Sequence, residues 1–384
     1  MMQIIKLTQI RKHLIDSNVY LWRIKIRVMT PKFHTLTIKD IRKETKDAVS
    51  ISFDIPKELI ADYKYESGQY LTLKTSIDNE EIRRSYSLCS SPFENEWRVA
   101  VKQIENGVFS TYANKSLKVG NTLEVMTPTG NFKLSTTKNS KKSYVLYAAG
   151  SGITPIFSIA KTILEEEQGD VTLFYGNKGF YGVIFREELE ALKNKYLDRI
   201  RIIHLFSRES PGNKIQKGRI NKEKCTELHQ AFLKNQTIDE VFICGPEEMI
   251  LNVRESLIEN GVDSKNIHFE LFATNVKKEK TATEIANQAP SFDSKVQIIL
   301  DGDVIDFELD SNGKTILDAA QEAGADLPFA CKGGVCCTCK AKVLEGSAKM
   351  DVNYALMPDE VENGYILTCQ AHPTSEKIVV SFDD

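Results

Sequence analysis

The spacing of apolar and polar positions changes period along the chain. Between Phe33 and about Leu134 the apolar residues fall in short, partly alternating runs rich in β-branched and aromatic side chains: FHTLTIKDI, AVSISFDI, QYLTLKTSI, RSYSLCS, WRVAVKQI and TLEVMTP. Turn residues separate them at Gly68, Asn106-Gly107, Gly120-Asn121 and Pro128 to Gly130. Six such runs predict a small antiparallel β-barrel over residues 30–135. Near Lys141 the pattern shifts. SYVLYAAG is a continuous apolar run ending in glycine, followed by a helical stretch opened by Pro155 and closed near Gly169. DVTLFYG, FREELEALKNKYL, RIRIIHLF, DEVFICGP, EEMILNVRESLIENG and IHFELF then alternate strand and helix periods, which predicts an α/β domain with a parallel sheet over 136–275. In the last helical run Met249, Val253 and Leu257 step by four along one face. Residues 276–292 carry no apolar period and read as a linker. In 293–384, VQIILDGDVIDFELD reads as a hairpin around Asp301-Gly302-Asp303, TILDAAQEAG as a short helix ended by Gly324, and KIVVSF as a closing strand.

Length agrees with this division, since 384 residues suffice for several separate cores. A formal net charge of -3 excludes a protein that holds nucleic acid by bulk positive charge. The charge is unevenly placed. Residues 293–384 hold 17 Asp/Glu against 7 Lys and no Arg, whereas the remainder holds 43 basic and 36 acidic residues. An acidic unit tethered to a mildly basic body suits docking by electrostatic attraction. No apolar run reaches the ~20 residues of a membrane span. The first thirty residues carry six Lys/Arg and one Asp, without the apolar core of a secretory leader. The expectation for 1–29 is an extension of doubtful structure, with Met29 as the functional initiator, and for the protein a cytoplasmic location.

Eight cysteines are too few for a disulfide scaffold, yet four of them fall between 331 and 339. The spacing Cys331-x4-Cys336-x2-Cys339, with Cys369 further on, is that of a plant-type [2Fe–2S] cluster: one tight loop delivers three thiolates and a distant strand the fourth. Gly333 and Gly334 let the backbone fold closely around the sulfurs. Zinc is the competing reading, but zinc ribbons carry two knuckles and a second one is missing here. Cys337 is off the pattern and reads as a packed or solvent-facing bystander. Residues 293–384, including KAKVLEG and YILTCQAHP, resemble a plant-type ferredoxin domain of α+β, β-grasp fold.

Arg84-Ser85-Tyr86-Ser87 ends a strand of the barrel region. Arg pairs bidentately with a pyrophosphate, a Tyr face stacks on a flavin ring, and a Ser hydroxyl reaches its N5. Downstream, Gly107-Val108-Phe-Ser110-Thr111 follows a strand and opens a short helix. The two motifs in this order resemble the FAD-binding barrel of the ferredoxin–NADP reductase family. Gly150-Ser-Gly152-Ile-Thr154-Pro155, between strand and helix, resembles that family's nicotinamide-nucleotide loop, and Cys244-Gly245-Pro246 its nicotinamide-side turn. Glu270-Leu-Phe272 resembles its closing acid-x-aromatic motif, which implies Phe272 near the flavin and Glu270 as a nicotinamide-side acid. The second strand of the nucleotide domain ends Tyr175-Gly176-Asn177-Lys178, without the acid that holds an NADH ribose. Ser207-Arg208, ending the next strand, resembles a 2′-phosphate site and favours NADPH over NADH.

The order barrel, nucleotide domain, linker, ferredoxin resembles the reductase components of multicomponent oxygenases with a C-terminal ferredoxin. FHTLTIKDIRKET and CKGGVCCTCKAKV look most like the branch that serves phenylacetyl-CoA epoxidation in aromatic degradation. The resemblance implies electron flow from NADPH to FAD to [2Fe–2S] to an oxygenase component, a multi-subunit di-iron epoxidase. A reductase for another oxygenase or a haem protein is the alternative, and a zinc-stabilised binding module the reading from another class. The six histidines show no oxygen-activating spacing.

Overall fold

The computed structural model describes residues 32–210, 212–272 and 290–383. The expectations for residues 1–29, and for the linker up to residue 289, lie outside the described residues. Strands β1 (Phe33–Thr45), β2 (Ala48–Asp54), β3 (Tyr70–Ile77), β4 (Glu80–Ser87), β5 (Trp97–Lys102) and β6 (Thr122–Met126) form an antiparallel sheet in the order β4-β3-β6-β1-β2-β5. Its two edges meet through a Leu88–Val99 bridge, and the Cys89 amide donates to the Arg98 carbonyl at 2.8 Å. The sheet therefore curls into the expected barrel. Alternation explains the curl: Leu36, Ile38, Ile51, Leu71, Leu73, Val99 and Val125 turn into one core, which Phe109 and Ala113 of the helix Val108–Lys115 help to fill. β4 begins four residues before the RSYSLCS run. Asp78 and Asn79 adopt φ of 54° and 65° and make a two-residue hairpin turn, so the polar residues before Arg84 pair with β3.

Strands β7 (Ser143–Ala149), β8 (Asp170–Asn177), β9 (Ile200–Phe206), β10 (Glu240–Gly245) and β11 (Ile267–Leu271) are all parallel, in the order β11-β10-β7-β8-β9. The helices Ile153–Glu166, Arg186–Lys195, Lys222–Leu228 and Glu247–Glu259 connect them. The expected stripe of Met249, Val253 and Leu257 is buried. The helix Lys222–Leu228 is missed by apolar periodicity because KEKCTEL buries only Cys225 and Leu228. A parallel crossover needs such an element whatever its sequence signal. Strand order reverses between β7 and β10, and sheets of this kind bind ligands at that reversal. Gly152 sits there, so close to β10 that a Cβ on it would lie 2.1 Å from the Cys244 carbonyl oxygen.

Strands β12 (Asp293–Leu300), β13 (Asp303–Asp310), β14 (Lys340–Glu345), β15 (Ala348–Met350), β16 (Tyr365–Leu367), β17 (Ala371–Pro373) and β18 (Lys377–Ser381) build the third unit. Five of them form a mixed sheet, β13-β12-β18-β14-β16, with β12 and β18 parallel; β15 pairs separately with β17. The hairpin turns on Asp301 and Gly302 at positive φ, as expected. Ile316, Leu317 and Ala320 of the helix Ile316–Glu322 join this domain's core, and the Thr315 hydroxyl caps the helix by accepting from the Asp318 amide at 3.2 Å.

Gly152→Ala should destabilise the protein by about 2 kcal/mol or more, because its methyl meets backbone that cannot yield. Gly182 has nothing within 4 Å of a built Cβ, so Gly182→Ala should shift the urea midpoint little. Equal midpoints for the two variants would contradict the close approach of Gly152 to β10.

Candidate functional site

The CKGGVCCTC loop brings four sulfurs together. Cys336, Cys339 and Cys369 are buried, and Cys331 lies at the surface edge. Cys331 Sγ lies 3.1 Å from Cys336 Sγ, and Cys369 Sγ neighbours both Cys331 and Cys339. The Gly333 amide donates to Cys331 Sγ at 3.3 Å. Gly334 has a φ of 71°, and a Cβ there would come within 3.0 Å of the Val352 carbonyl. Crowding sets the thiols apart: hydrogen bonds from its neighbours pull the Cys331 thiol down, while Cys336 and Cys369 are pushed up. Four converging sulfurs with an amide donor form a donor set that fits an iron–sulfur cluster. Cys337 turns away from them. Its thiol donates to the Ala355 carbonyl at 3.3 Å, and burial pushes it up to about 12.

Arg84, Ser85, Tyr86 and Ser87 occupy the last half of β4. Arg84 is exposed, and Tyr86 packs on Phe109, ring centroids 5.5 Å apart. That contact joins β4 to the turn that holds Gly107, Val108, Ser110 and Thr111. The Ser110 hydroxyl accepts from the Ile104 amide at 3.2 Å, and Thr111 Oγ1 accepts from Gln103 at 3.3 Å. Val108 stays exposed. The two expected flavin motifs thus lie side by side, with a half-exposed aromatic ring between polar donors, a surface that fits an isoalloxazine and its phosphates. The Ser87 hydroxyl donates to Glu270 Oε2 at 3.1 Å, which ties β4 to β11 of the nucleotide domain.

A cleft of about 580 Å³ opens at the strand reversal. Gly150, Gly152, Ser207, Arg208, Gly245 and Pro246 line it, and so does Phe272, which the sequence reading set beside the flavin. Thr154, Pro155 and Cys244 lie behind it: Thr154 Oγ1 donates to the Ser151 carbonyl at 3.0 Å, Pro155 is buried in the helix, and Cys244 is buried in β10 beneath Gly152. Sequence reasoning missed Lys102, Asn177, Lys178 and Arg219, which also line the cleft. Lys102 comes from β5 of the barrel, so no local pattern marks it. Lys178 and Arg219 join Arg208 at one end, and none of the three has an ion-pair partner among the described residues. Asn177 Nδ2 is shielded beside the Tyr175 hydroxyl and, among the described residues, meets no partner at full hydrogen-bond geometry. A shielded donor beside free cations fits a phosphorylated ribose.

Residues 35–134 match the oxidoreductase FAD-binding domain, 146–255 the oxidoreductase NAD-binding domain, and 298–374 the 2Fe-2S iron-sulfur cluster binding domain. The chain is 43% identical to one of the subunits of 1,2-phenylacetyl-CoA epoxidase from Escherichia coli strain K12, over 91% of this chain and 98% of the relative. It is 33% identical to the ferredoxin reductase component of 3-ketosteroid-9-alpha-monooxygenase of Rhodococcus rhodochrous, over 90% of this chain and 96% of that one. Among solved structures it resembles phthalate dioxygenase reductase, with TM-score 0.56 and 25% identity, over 91% of this chain and 98% of that one. The chain belongs to the family of FAD- and [2Fe–2S]-containing reductase components of oxygenases. Among the described residues no helix is long and apolar enough to cross a membrane.

In this reductase Glu270 of β11 is half-buried against Ser87 of β4, and burial raises its carboxyl from 4.5 to about 8 despite the Ser87 hydroxyl. It is neutral at pH 7 and can hold a proton at the junction of barrel and nucleotide domain. The raised value means the folded protein keeps a proton that the unfolded chain releases. Stability is therefore lost as pH rises from 4.5 toward 8, by about 1.4 kcal/mol per pH unit. Glu270→Gln lacks this loss. Its melting temperature should match wild type near pH 4.5 and exceed it by several degrees near pH 9; a constant difference across that range would refute the buried neutral acid.

Proposed function

We propose that this reductase oxidises NADPH and supplies single electrons to a multi-subunit di-iron epoxidase acting on phenylacetyl-CoA. The name of the Escherichia coli relative supports the acceptor. The observation that carries the relay is the meeting of three domains on one strand pair: Tyr70 of β3 touches the cysteine loop while its partner Ser87 of β4 touches Glu270 of the nucleotide domain. In this reading Cys331, Cys336, Cys339 and Cys369 hold the cluster. Arg84, Ser85, Tyr86 and Ser87, with Gly107, Val108, Ser110 and Thr111, hold FAD, and Phe272 screens it. Gly150, Gly152, Gly245 and Pro246 give the nucleotide room, with Thr154, Pro155 and Cys244 shaping the loop and turn that carry them.

FAD, held by the β4 and Gly107 motifs, would supply the exchange between a two-electron hydride donor and a one-electron cluster. The chain's own residues orient, charge and shield. Arg208 and Ser207, with Lys178 and Arg219, offer donors and positive charge for a 2′-phosphate; Lys102 brings a further cation to the Gly150 loop. The end of β8 carries Asn177 in place of an acid, and the cleft's carboxylates, Glu247 and Glu248, follow Gly245-Pro246 instead. Glu270 keeps its proton beside Ser87. A cytoplasmic setting belongs to the same reading and agrees with eight unpaired cysteines.

Cys336→Ser should remove the iron–sulfur absorption and electron delivery to the epoxidase while NADPH-to-ferricyanide activity persists through FAD. Loss of both activities in a well-folded variant would overturn the electron order. Arg208→Ala should raise the KM for NADPH by about tenfold and that for NADH by less than about twofold, as loss of one charge-assisted contact implies. Equal increases would place the 2′-phosphate elsewhere.

A further inference from the structure

The cysteine loop is held against the flavin barrel by one buried side chain. Tyr70 opens β3 and is 3% exposed. Its ring lies against Ala330 and Cys336, with Cys331 alongside. Its hydroxyl accepts from the Cys337 amide at 3.0 Å and shares a hydrogen bond with Thr338 Oγ1 at 3.1 Å. Both partners lie between the cluster-ligand positions Cys336 and Cys339. One phenol thus reaches two consecutive residues of the ligand loop from another domain.

The barrel is shaped around this ring. Gly130, at φ 130°, lies so close that a Cβ there would sit 3.0 Å from two of the Tyr70 ring carbons. Tyr70 also bonds Thr129 through both backbone groups, N–H to carbonyl at 2.9 Å and carbonyl to N–H at 3.1 Å. Two residues on, Thr72 Oγ1 lies 3.0 Å from Ser85 Oγ in the RSYS run and 3.5 Å from Thr338 Oγ1. The hydroxyls of Ser85, Thr72 and Thr338 therefore bridge the flavin strand and the ligand loop.

We propose that Tyr70 is a docking pin: its hydroxyl, with Thr72 and Thr338, fixes the cysteine loop on the flavin strand and sets the distance electrons travel between the two cofactors. It is a positioning residue and makes or breaks no bond. The inference rests on the FAD and cluster assignments proposed above. Other contacts place the ferredoxin domain more coarsely. Arg83 pairs with Asp326 at 2.7 Å and stacks on Phe329, and Asn131 donates to the Ala355 carbonyl at 3.2 Å. None of these touches residues 336–339.

The test uses Tyr70→Phe in the full holoenzyme, with NADPH mixed anaerobically and the flavin and iron–sulfur bands followed separately. Flavin reduction should stay within about twofold of wild type, and cluster reduction should slow by about tenfold. A second readout does not depend on turnover. Cys337 is buried within the docked loop, so its labelling by N-ethylmaleimide, read by mass spectrometry on the oxidised holoenzyme, should quicken by about tenfold at unchanged iron and sulfide content. Thr338→Val should act in the same direction, and because the two variants share the Tyr70–Thr338 bond the double variant should slow cluster reduction by less than the product of the two single effects. Unchanged cluster reduction and labelling in Tyr70→Phe, with wild-type absorption, would overturn the pin alone. Equal slowing of flavin and cluster reduction would overturn it too, as a general loss of structure. A wild-type protein without flavin and iron–sulfur absorption would overturn the functional reading with it.

Discussion

The pairing of Tyr70 with Ser87 across β3 and β4 is where the three domains meet. An antiparallel register is strict, because a slip of one residue turns every side chain to the other face. In this register Tyr70 reaches the cysteine loop and Ser87 reaches Glu270. Leu71 pairs with Tyr86 and turns into the barrel core, while Thr72 pairs with Ser85 and faces the ferredoxin domain as Tyr70 does, so alternate residues of the RSYS run lie opposite the two that reach it. A protein that passes electrons between three groups must keep them close, and here one hairpin fixes both approaches. The turn at Asp78 and Asn79 sets the register, and the bridge at Leu88–Val99 keeps the barrel closed behind it.

Charge contributes less to this junction than the domain sums imply. The acidic domain would be drawn to a basic body, yet among the described residues only Arg83–Asp326 forms an ion pair across the contact. The other contacts are neutral hydroxyls and amides, the stacking of Phe329 under Arg83, and Asn131 and Tyr354 donating to Glu360 and Glu247. A single pair with an exposed partner is screened by salt and is worth little. Tight contact therefore falls to Tyr70 and its neighbours. The acids of β13, Asp303, Asp306, Glu308 and Asp310, remain exposed along an edge strand, where charge also discourages pairing with another chain.

Local chemistry made much of this legible in the amino-acid sequence. The cysteine spacing needs no tertiary information to single out the four sulfurs that the structure brings together, and β-branched runs between glycines mark the barrel. Strand-then-glycine punctuation locates Gly150, Gly152 and Gly245 at the cleft. What escaped was set by distance in sequence. Lys102 belongs to the barrel and serves a cleft in the next domain; Arg219 lies in a turn with no apolar period. Thr154, Pro155 and Cys244 carry motif letters, yet the structure uses them to build the cleft wall. Cys337 looked like a spare thiol, and the feature that matters is its backbone amide.

Polar atoms decide how such a junction behaves. The ferredoxin domain has an apolar core of its own, whereas one core cluster joins Cys89, Phe132 and Leu134 of the barrel side to Phe157 and Phe242 of the nucleotide domain. The Tyr70 hydroxyl and the Cys337 amide, and likewise the Ser87 hydroxyl and the Glu270 carboxyl, are different: each finds its partner in another domain. Separation exposes these groups to water, which satisfies them again, so the net cost of undocking is that of a few hydrogen bonds and a small apolar contact. That balance suits a carrier domain. In the proposed relay it must sit precisely enough to take an electron from the barrel and loosely enough to present the Cys331 edge of its loop to the oxygenase.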